Sequence, residues 1–151
     1  MKKINSVNII GGGLAGSEAA WQLANFDIPV IIHEMRPIKM TEVHKTDNFS
    51  ELVCSNSFRS DDFENNAVGL LHQELRIANS LIMDCADRSK IPAGGALAVD
   101  RDKFSSMVSS KILNHSLISI NREEIKNLNS FDNEGPILVA TGPLTSESLA
   151  N

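Results

Sequence analysis

A short apolar run, Val7-Asn8-Ile9-Ile10, enters a Gly-x-Gly-x-x-Gly turn at Gly11-Gly12-Gly13-Leu14-Ala15-Gly16 and leaves through Ser17-Glu18-Ala19-Ala20 as a helix. Strand, glycine turn and helix in that order open a dinucleotide-binding βαβ unit, and each glycine has a separate physical job. Gly11 permits the tight turn, Gly13 lets the backbone approach a pyrophosphate, and Gly16 lets helix and strand pack closely. Gly12, Leu14 and Ala15 complete the cradle, with the anion expected on the helix N-terminus, where unpaired N–H groups point outward. The same glycines fit the frame of a phosphate-binding P-loop, but Ser17-Glu18 stands where that motif needs Lys-Ser or Lys-Thr, which argues against a P-loop ATPase.

A glycine turn needs no ligand by itself, so the second strand decides. Pro29-Val30-Ile31-Ile32-His33 is β-prone, and Glu34 follows it eighteen residues after Gly16, close to the spacing of a ribose-binding carboxylate. A carboxylate there accepts hydrogen bonds from ribose hydroxyls and repels a 2′-phosphate. The adenosine half is therefore expected to belong to FAD or NAD rather than NADP, an exclusion that Arg36 nearby weakens.

At 151 residues the chain is long enough for one domain with a core and short for two. No apolar run approaches the ~20 residues of a membrane helix, and Met1-Lys2-Lys3 precedes only a brief apolar strand, so neither a membrane segment nor a secretory signal is expected and a cytoplasmic location is. The net charge of −5 argues against a strongly basic nucleic-acid-binding domain, so any RNA contact is local or lies outside this chain. Cys54 and Cys85 form neither a disulfide framework nor a metal-ligand spacing, and no metal site is expected.

After the first βαβ unit, residues from Met35 to about Arg59 read as one long polar loop that carries Cys54. Ala67 to Met83 reads as one core-facing helix with Leu70, Leu71, Leu75, Ala78 and Ile82 on its inner stripe, and His72 as a polar-face or satisfied structural histidine. Ile91-Pro92-Ala93-Gly94-Gly95 is a second glycine turn leading into the strand Ala96 to Val99. Asp100 then caps a helix bearing Phe104, Met107, Val108 and Ile112. Leu117 to Ile120 reads as a strand. The run from Gly135 to Pro143 reads as another, closing on Ala140-Thr141-Gly142, where a parallel sheet delivers backbone to a ligand. The fold expected is α/β, a Rossmann-like domain with a parallel sheet and flanking helices.

Taken together, Ile10 to Trp21, Glu34-Met35-Arg36-Pro37, Glu51-Leu52-Val53-Cys54-Ser55-Asn56-Ser57, Pro92 to Arg101 and Ala140 to Ser146 resemble the folate- and FAD-dependent tRNA (uracil-5-)-methyltransferases, relatives of the glucose-inhibited-division flavoproteins. The glycine motif is common to many flavoproteins; the Cys54 and Pro92 to Arg101 segments are more particular and carry the resemblance. It implies that the chain is the N-terminal part, residues 1–151, of an FAD/NAD(P)-binding domain with a functional loop at about 35–60. It further implies an enzyme that forms 5-methyluridine in the tRNA T-loop, with FAD as cofactor and methylenetetrahydrofolate and NAD(P)H as co-substrates. Cys54 is implied as the catalytic thiol. Members of that family continue past the Ala-Thr-Gly turn into a substrate domain and a second catalytic cysteine, so the chain is expected to be truncated relative to the family and to bind tRNA mainly outside itself or beside a complementing C-terminal chain. Cys85 matches no catalytic motif and is expected to be packing. A non-catalytic remnant or nucleotide-binding module, and a fragment of an unrelated FAD oxidoreductase, are the alternative readings.

Overall fold

The computed structural model describes residues 6–131 and 135–151; Met1-Lys2-Lys3 lies outside them. Strand β1 (Val7–Ile10) runs into helix α1 (Leu14–Asn25), which returns to β2 (Val30–His33). β3 (Ser57–Ser60), α2 (Ala67–Ile77), α3 (Leu81–Arg88), β4 (Lys90–Ile91), β5 (Ala96–Val99), α4 (Arg101–Leu113), β6 (Ile118–Asn121), β7 (Ile137–Val139) and a last turn of helix, α5 (Glu147–Ala150), follow.

Four strands form a parallel sheet in the order β6-β2-β1-β7, with Val7 opposite Val30, Asn8 opposite Ile137 and Val30 opposite Ile118. This is the expected Rossmann-like arrangement. Side chains alternate across it: Val7, Ile9, Val30, Ile32 and Ile118 join the core with Ala20 and Ala24 of α1 and Phe104, Val108 and Ile112 of α4. The opposite face carries Asn8, whose Oδ1 lies 2.9 Å from His33 Nε2, with the Phe131 ring edge-on to His33 at 5.0 Å. Asp100 caps α4 as expected, its carboxylate accepting from the Lys103 N–H at 3.0 Å.

A second, antiparallel sheet in the order β3-β5-β4 was not foreseen. It corrects the long loop, whose last residues are strand: Ser57 pairs with Ala98 and Ser60 with Ala96.

The single helix expected over Ala67 to Met83 is two. Asn79 takes a left-handed φ of 56°, and Ser80 caps α3 by accepting from the Met83 N–H at 3.1 Å. Glu18 of α1 accepts from Ser80 Oγ and from the Ile82 N–H at the same junction. Nor do Leu70 and Leu71 face the core, being 49% and 51% exposed, and Ala78 is exposed too. The inward face of α2 is Gly69 and His72, because a side chain at Gly69 would collide with the Asp62 backbone. His72 Nδ1 lies 3.1 Å from Asp61 Oδ1, making it a satisfied structural histidine.

Candidate nucleotide site

The sheet order reverses at β1, which has β2 on one side and β7 on the other. Crevices outside the carboxyl ends of parallel strands at such a reversal are where this architecture binds ligands. A cleft of about 300 Å³ opens there, the low end of the range for small-molecule sites. The turn after β1 (Gly11, Gly12, Gly13, Leu14 and Ala15) forms one wall, the end of β2 with Glu34 another, and Ala140 to Leu144 after β7 a third.

The glycines divide as the motif requires. Gly11 has φ 104° and lies so close to the Ala140 carbonyl that a side chain would stand 2.8 Å from its oxygen. Gly16 faces away from the cleft, where a Cβ would collide with the Gly11 carbonyl oxygen. At Gly12 a Cβ would stand 2.5 Å from the Phe49 ring and 2.8 Å from Glu34 Oε2. Gly13 is the exception: it lines the cleft and a Cβ there would meet nothing within 4 Å.

Gly13 is the N-cap of α1, no side chain caps this helix, and its first turn holds no acid. The first N–H groups of a helix have no intrahelical partner, so an uncapped, acid-free N-terminus bordering a cleft is a set of donors suited to an anion. The donor set and the open space at Gly13 fit the pyrophosphate of a dinucleotide.

Glu34 is buried and its carboxylate is already occupied by protein. Oε2 accepts from the Gly12 N–H at 2.8 Å and from Arg36 Nη2 at 3.2 Å; Oε1 accepts from the Arg36 N–H at 3.0 Å and from Arg36 Nε at 2.9 Å. Burial pushes its pKa up, but the Arg36 side-chain and backbone hydrogen bonds, the guanidinium charge and the Gly12 N–H together hold it below the ordinary value. Glu34 therefore organises the glycine turn, and a ribose hydroxyl at this carboxylate would share an oxygen with those donors. Arg36 balances its charge, which removes the basis for repelling a 2′-phosphate.

The segment from Arg36 to Glu51 is tightly held. Glu51 accepts from the Lys45 and Thr46 N–H groups and Thr46 Oγ1 at 2.8 to 3.0 Å, while Arg122 Nη1 donates to the carbonyls of Arg36 and Asp47. Phe49 is fully buried with its N–H on Ser109 Oγ at 2.8 Å and the Arg122 guanidinium 4.8 Å above its ring. The next N–H, of Ser50, donates to the Gly12 carbonyl at 2.9 Å.

Cys54 is exposed and does not line the cleft, although its neighbour Val53 does. Cys85 is buried in α3, where burial pushes its thiol up to about 11. Among the described residues no group of three or more His, Cys, Asp or Glu is placed to hold a metal ion, and no helix is long and apolar enough to cross a membrane.

Residues 6–150 match the family model described as glucose inhibited division protein A. The chain belongs to that family. It is 63% identical over 146 residues to the methylenetetrahydrofolate–tRNA-(uracil-5-)-methyltransferase of Mesorhizobium japonicum and 60% identical over 147 residues to that of Brucella anthropi. Each match covers 97% of this chain and 31% of the relative, so the chain spans about a third of the length of the curated relatives it matches. Among solved structures, GidA of Aquifex aeolicus superposes with a TM-score of 0.61 at 17% identity, over 79% of this chain and 19% of that one, a likeness of fold.

Of the eight site residues named from the sequence, Gly11, Gly12, Gly13, Leu14, Ala15 and Glu34 are brought together on the cleft, Gly16 supports it from behind, and Cys54 stands outside it. Thr41, His44, Glu51, Glu123, Glu124 and Ile125 line it without having been named as site residues. Glu51 lies within a segment the resemblance had marked; the Glu123 to Ile125 wall follows a strand end and has no motif.

Proposed function

We propose that this chain is the FAD-binding front portion of a tRNA (uracil-5-)-methyltransferase, with Gly11 to Gly16 and Glu34 as the adenine-dinucleotide site and Cys54 as the nucleophile toward uracil. The observation that carries the reading is the uncapped, acid-free N-terminus of α1 at the sheet's switch point, beside a Gly13 that leaves its side-chain space open. The relatives' name, with its folate donor and uracil acceptor, supports the reaction class, and methylenetetrahydrofolate and NAD(P)H enter as co-substrates of the complete enzyme. The T-loop of tRNA is the substrate proposed. We place its binding mainly outside residues 1–151, on the remaining length of the protein or a complementing C-terminal chain, and the enzyme in the cytoplasm.

Bound FAD would supply the reducing equivalents. The N–H groups of the first turn of α1 would hold its pyrophosphate, and Glu34, kept ionised by Arg36, would fix the turn and meet the ribose edge. The Cys54 thiolate would add to carbon 6 of the uracil, forming the S–C bond and moving the ring π pair onto the enolate. Carbon 5 then becomes nucleophilic toward a one-carbon electrophile. Bond formation at carbon 5 opens the carbon–nitrogen bond to the folate as the carbon 5 proton leaves, and reduction of the resulting methylene to methyl, with the reducing equivalents bound FAD would supply, re-forms the ring double bond and expels the thiolate.

Titration of the purified chain with FAD tests the binding half; the expected result is a bound flavin absorbance spectrum, and its absence refutes the assignment. The catalytic half is tested in the complete enzyme with tRNA bearing 5-fluorouridine in the T-loop, where fluorine cannot leave as the proton does. A protein–RNA band on a denaturing gel is expected, lost in Cys54→Ser and kept in Cys85→Ser, and the reverse pattern refutes the role of Cys54.

A further inference from the structure

The two most particular stretches of the sequence, residues 51–57 and 92–101, are joined in the fold by the pairing of Ser57 with Ala98 and by hydrogen bonds around it. The Val99 N–H donates to the Asn56 carbonyl at 2.9 Å, and Asn56 Nδ2 donates back to the Val99 carbonyl at 3.0 Å. Another bond runs from Arg101 Nη2 to the carbonyl of Cys54 itself, at 3.1 Å.

Arg101 is the first residue of α4 and is exposed, yet among the described residues its guanidinium forms no ion pair. Acids flank it in sequence on both sides, but the Asp100 carboxylate is taken up by the Lys103 N–H. An arginine has five N–H donors in a rigid fork. One of them holds the carbonyl of Cys54, whose thiol is exposed, and the rest of the fork is in no ion pair among the described residues.

We infer that Arg101 is the positioning residue for Cys54: it fixes the thiol-bearing loop through the Cys54 carbonyl and offers the rest of its charged fork to the anionic backbone of the incoming RNA. This rests on the reading of Cys54 as the nucleophile and adds the group that orients it. A surface arginine that merely ties down a loop would also make the hydrogen bond. An electrostatic effect of Arg101 at the thiol separates the two roles.

The test compares the chain with its Arg101→Ala and Arg101→Lys variants. Thiol–disulfide exchange at Cys54 is timed with a dianionic aromatic disulfide and with a neutral dipyridyl disulfide; in each the thiolate attacks a sulfur and an aryl thiolate departs. Loop loosening alters both rates together and cancels in their ratio, whereas a cation beside the thiol favours the dianion. The ratio is expected to fall several-fold in Arg101→Ala at low ionic strength, to be largely kept in Arg101→Lys, and to converge for all three at high salt as the charge is screened. Cys85 should stay silent throughout as the control for intact folding. A ratio unmoved by Arg101→Ala overturns the inference. Arg101 does not line the cleft, so FAD affinity measured on the same samples should not change. Failure of the wild-type chain to bind FAD would sink the flavin reading and leave the ratio experiment standing.

Discussion

Gly13→Ala separates ligand binding from folding more cleanly than any other substitution in the turn. Gly13 has φ −75° and ψ −169°, a conformation alanine adopts without strain, and its added methyl would meet nothing within 4 Å. Alanine is a poorer N-cap than glycine by about 0.5–1 kcal/mol, and restricting the unfolded chain returns about 0.4–1 kcal/mol. The net change in stability should stay within about 1 kcal/mol, or roughly 2–4 °C in thermal midpoint for a domain of this size. Affinity should respond much more. A methyl in the open space that the pyrophosphate needs would push the anion off at least one backbone N–H, and a hydrogen bond to a charged group is worth about 1.5–3 kcal/mol. That converts to a loss of roughly tenfold to 150-fold in FAD affinity. The assay is a flavin fluorescence titration run beside a thermal melt on the same sample. Unchanged FAD affinity refutes the placement of the pyrophosphate at Gly13. A collapse in thermal midpoint refutes the open space itself, since collapse is the outcome for Gly16→Ala, where the Gly11 carbonyl bars the methyl.

Glu34→Gln should lower stability at neutral pH by up to about 3–5 kcal/mol, the range for breaking one side of a buried pair. The folded-state pKa of Glu34 lies below its ordinary 4.5, so its contribution is present above that value and lost as pH falls through the depressed one. Denaturant melts of wild type and variant should therefore converge on acidification below about pH 4.5, and a gap that stays constant to low pH would contradict the ion-pair account. Phe49→Ala, which removes a fully buried ring from beneath Gly12, should cost about 3–5 kcal/mol in the same melts and weaken FAD by displacing the turn. Iodoacetamide should label Cys54 in the folded chain and Cys85 only after denaturation, because burial both shields Cys85 and pushes its thiol up to about 11; mass spectrometry of the native reaction with Cys85 labelled first would be the contrary result.

The first βαβ unit was legible because local chemistry fixes it: an apolar run, glycines that nothing else can replace at Gly11 and Gly16, and an acid closing the second strand. What the sequence hid depends on contacts distant in the chain. Leu70 and Leu71 sit at helical spacing and read as core, but the face of α2 is chosen by the backbone contact of Gly69 with Asp62 and by His72 on Asp61. The break between α2 and α3 had a signal, Asn79-Ser80, since asparagine tolerates left-handed φ and serine caps helices. β3 had none: Ser57 to Ser60 is a polar stretch that becomes strand by pairing with β5 across a long interval of sequence. Glu34 lines the cleft, but its occupation by Arg36 and Gly12 follows from side-chain geometry that spacing does not encode.

One segment links the nucleotide cleft and the Cys54 loop. Gly12 is held through its N–H by Glu34 and through its carbonyl by the Ser50 N–H, with Ser17 Oγ a second donor at 3.3 Å. Four residues beyond Ser50 the chain reaches Cys54, a span of at most about 14 Å. The thiol loop is thus anchored at one end on the glycine turn and at the other on β5 and α4, through Asn56 with Val99 and Arg101 with the Cys54 carbonyl. The two anchors are separable. Phe49 and Ser50 belong to the end that shapes the nucleotide cleft, so disturbing them should shift flavin affinity and thiol reactivity together. Arg101 belongs to the far end, so disturbing it should change the thiol and leave the flavin in place. A variant at Phe49 that altered FAD affinity with no effect on the Cys54 exchange rate would break that link and make the two sites independent neighbours.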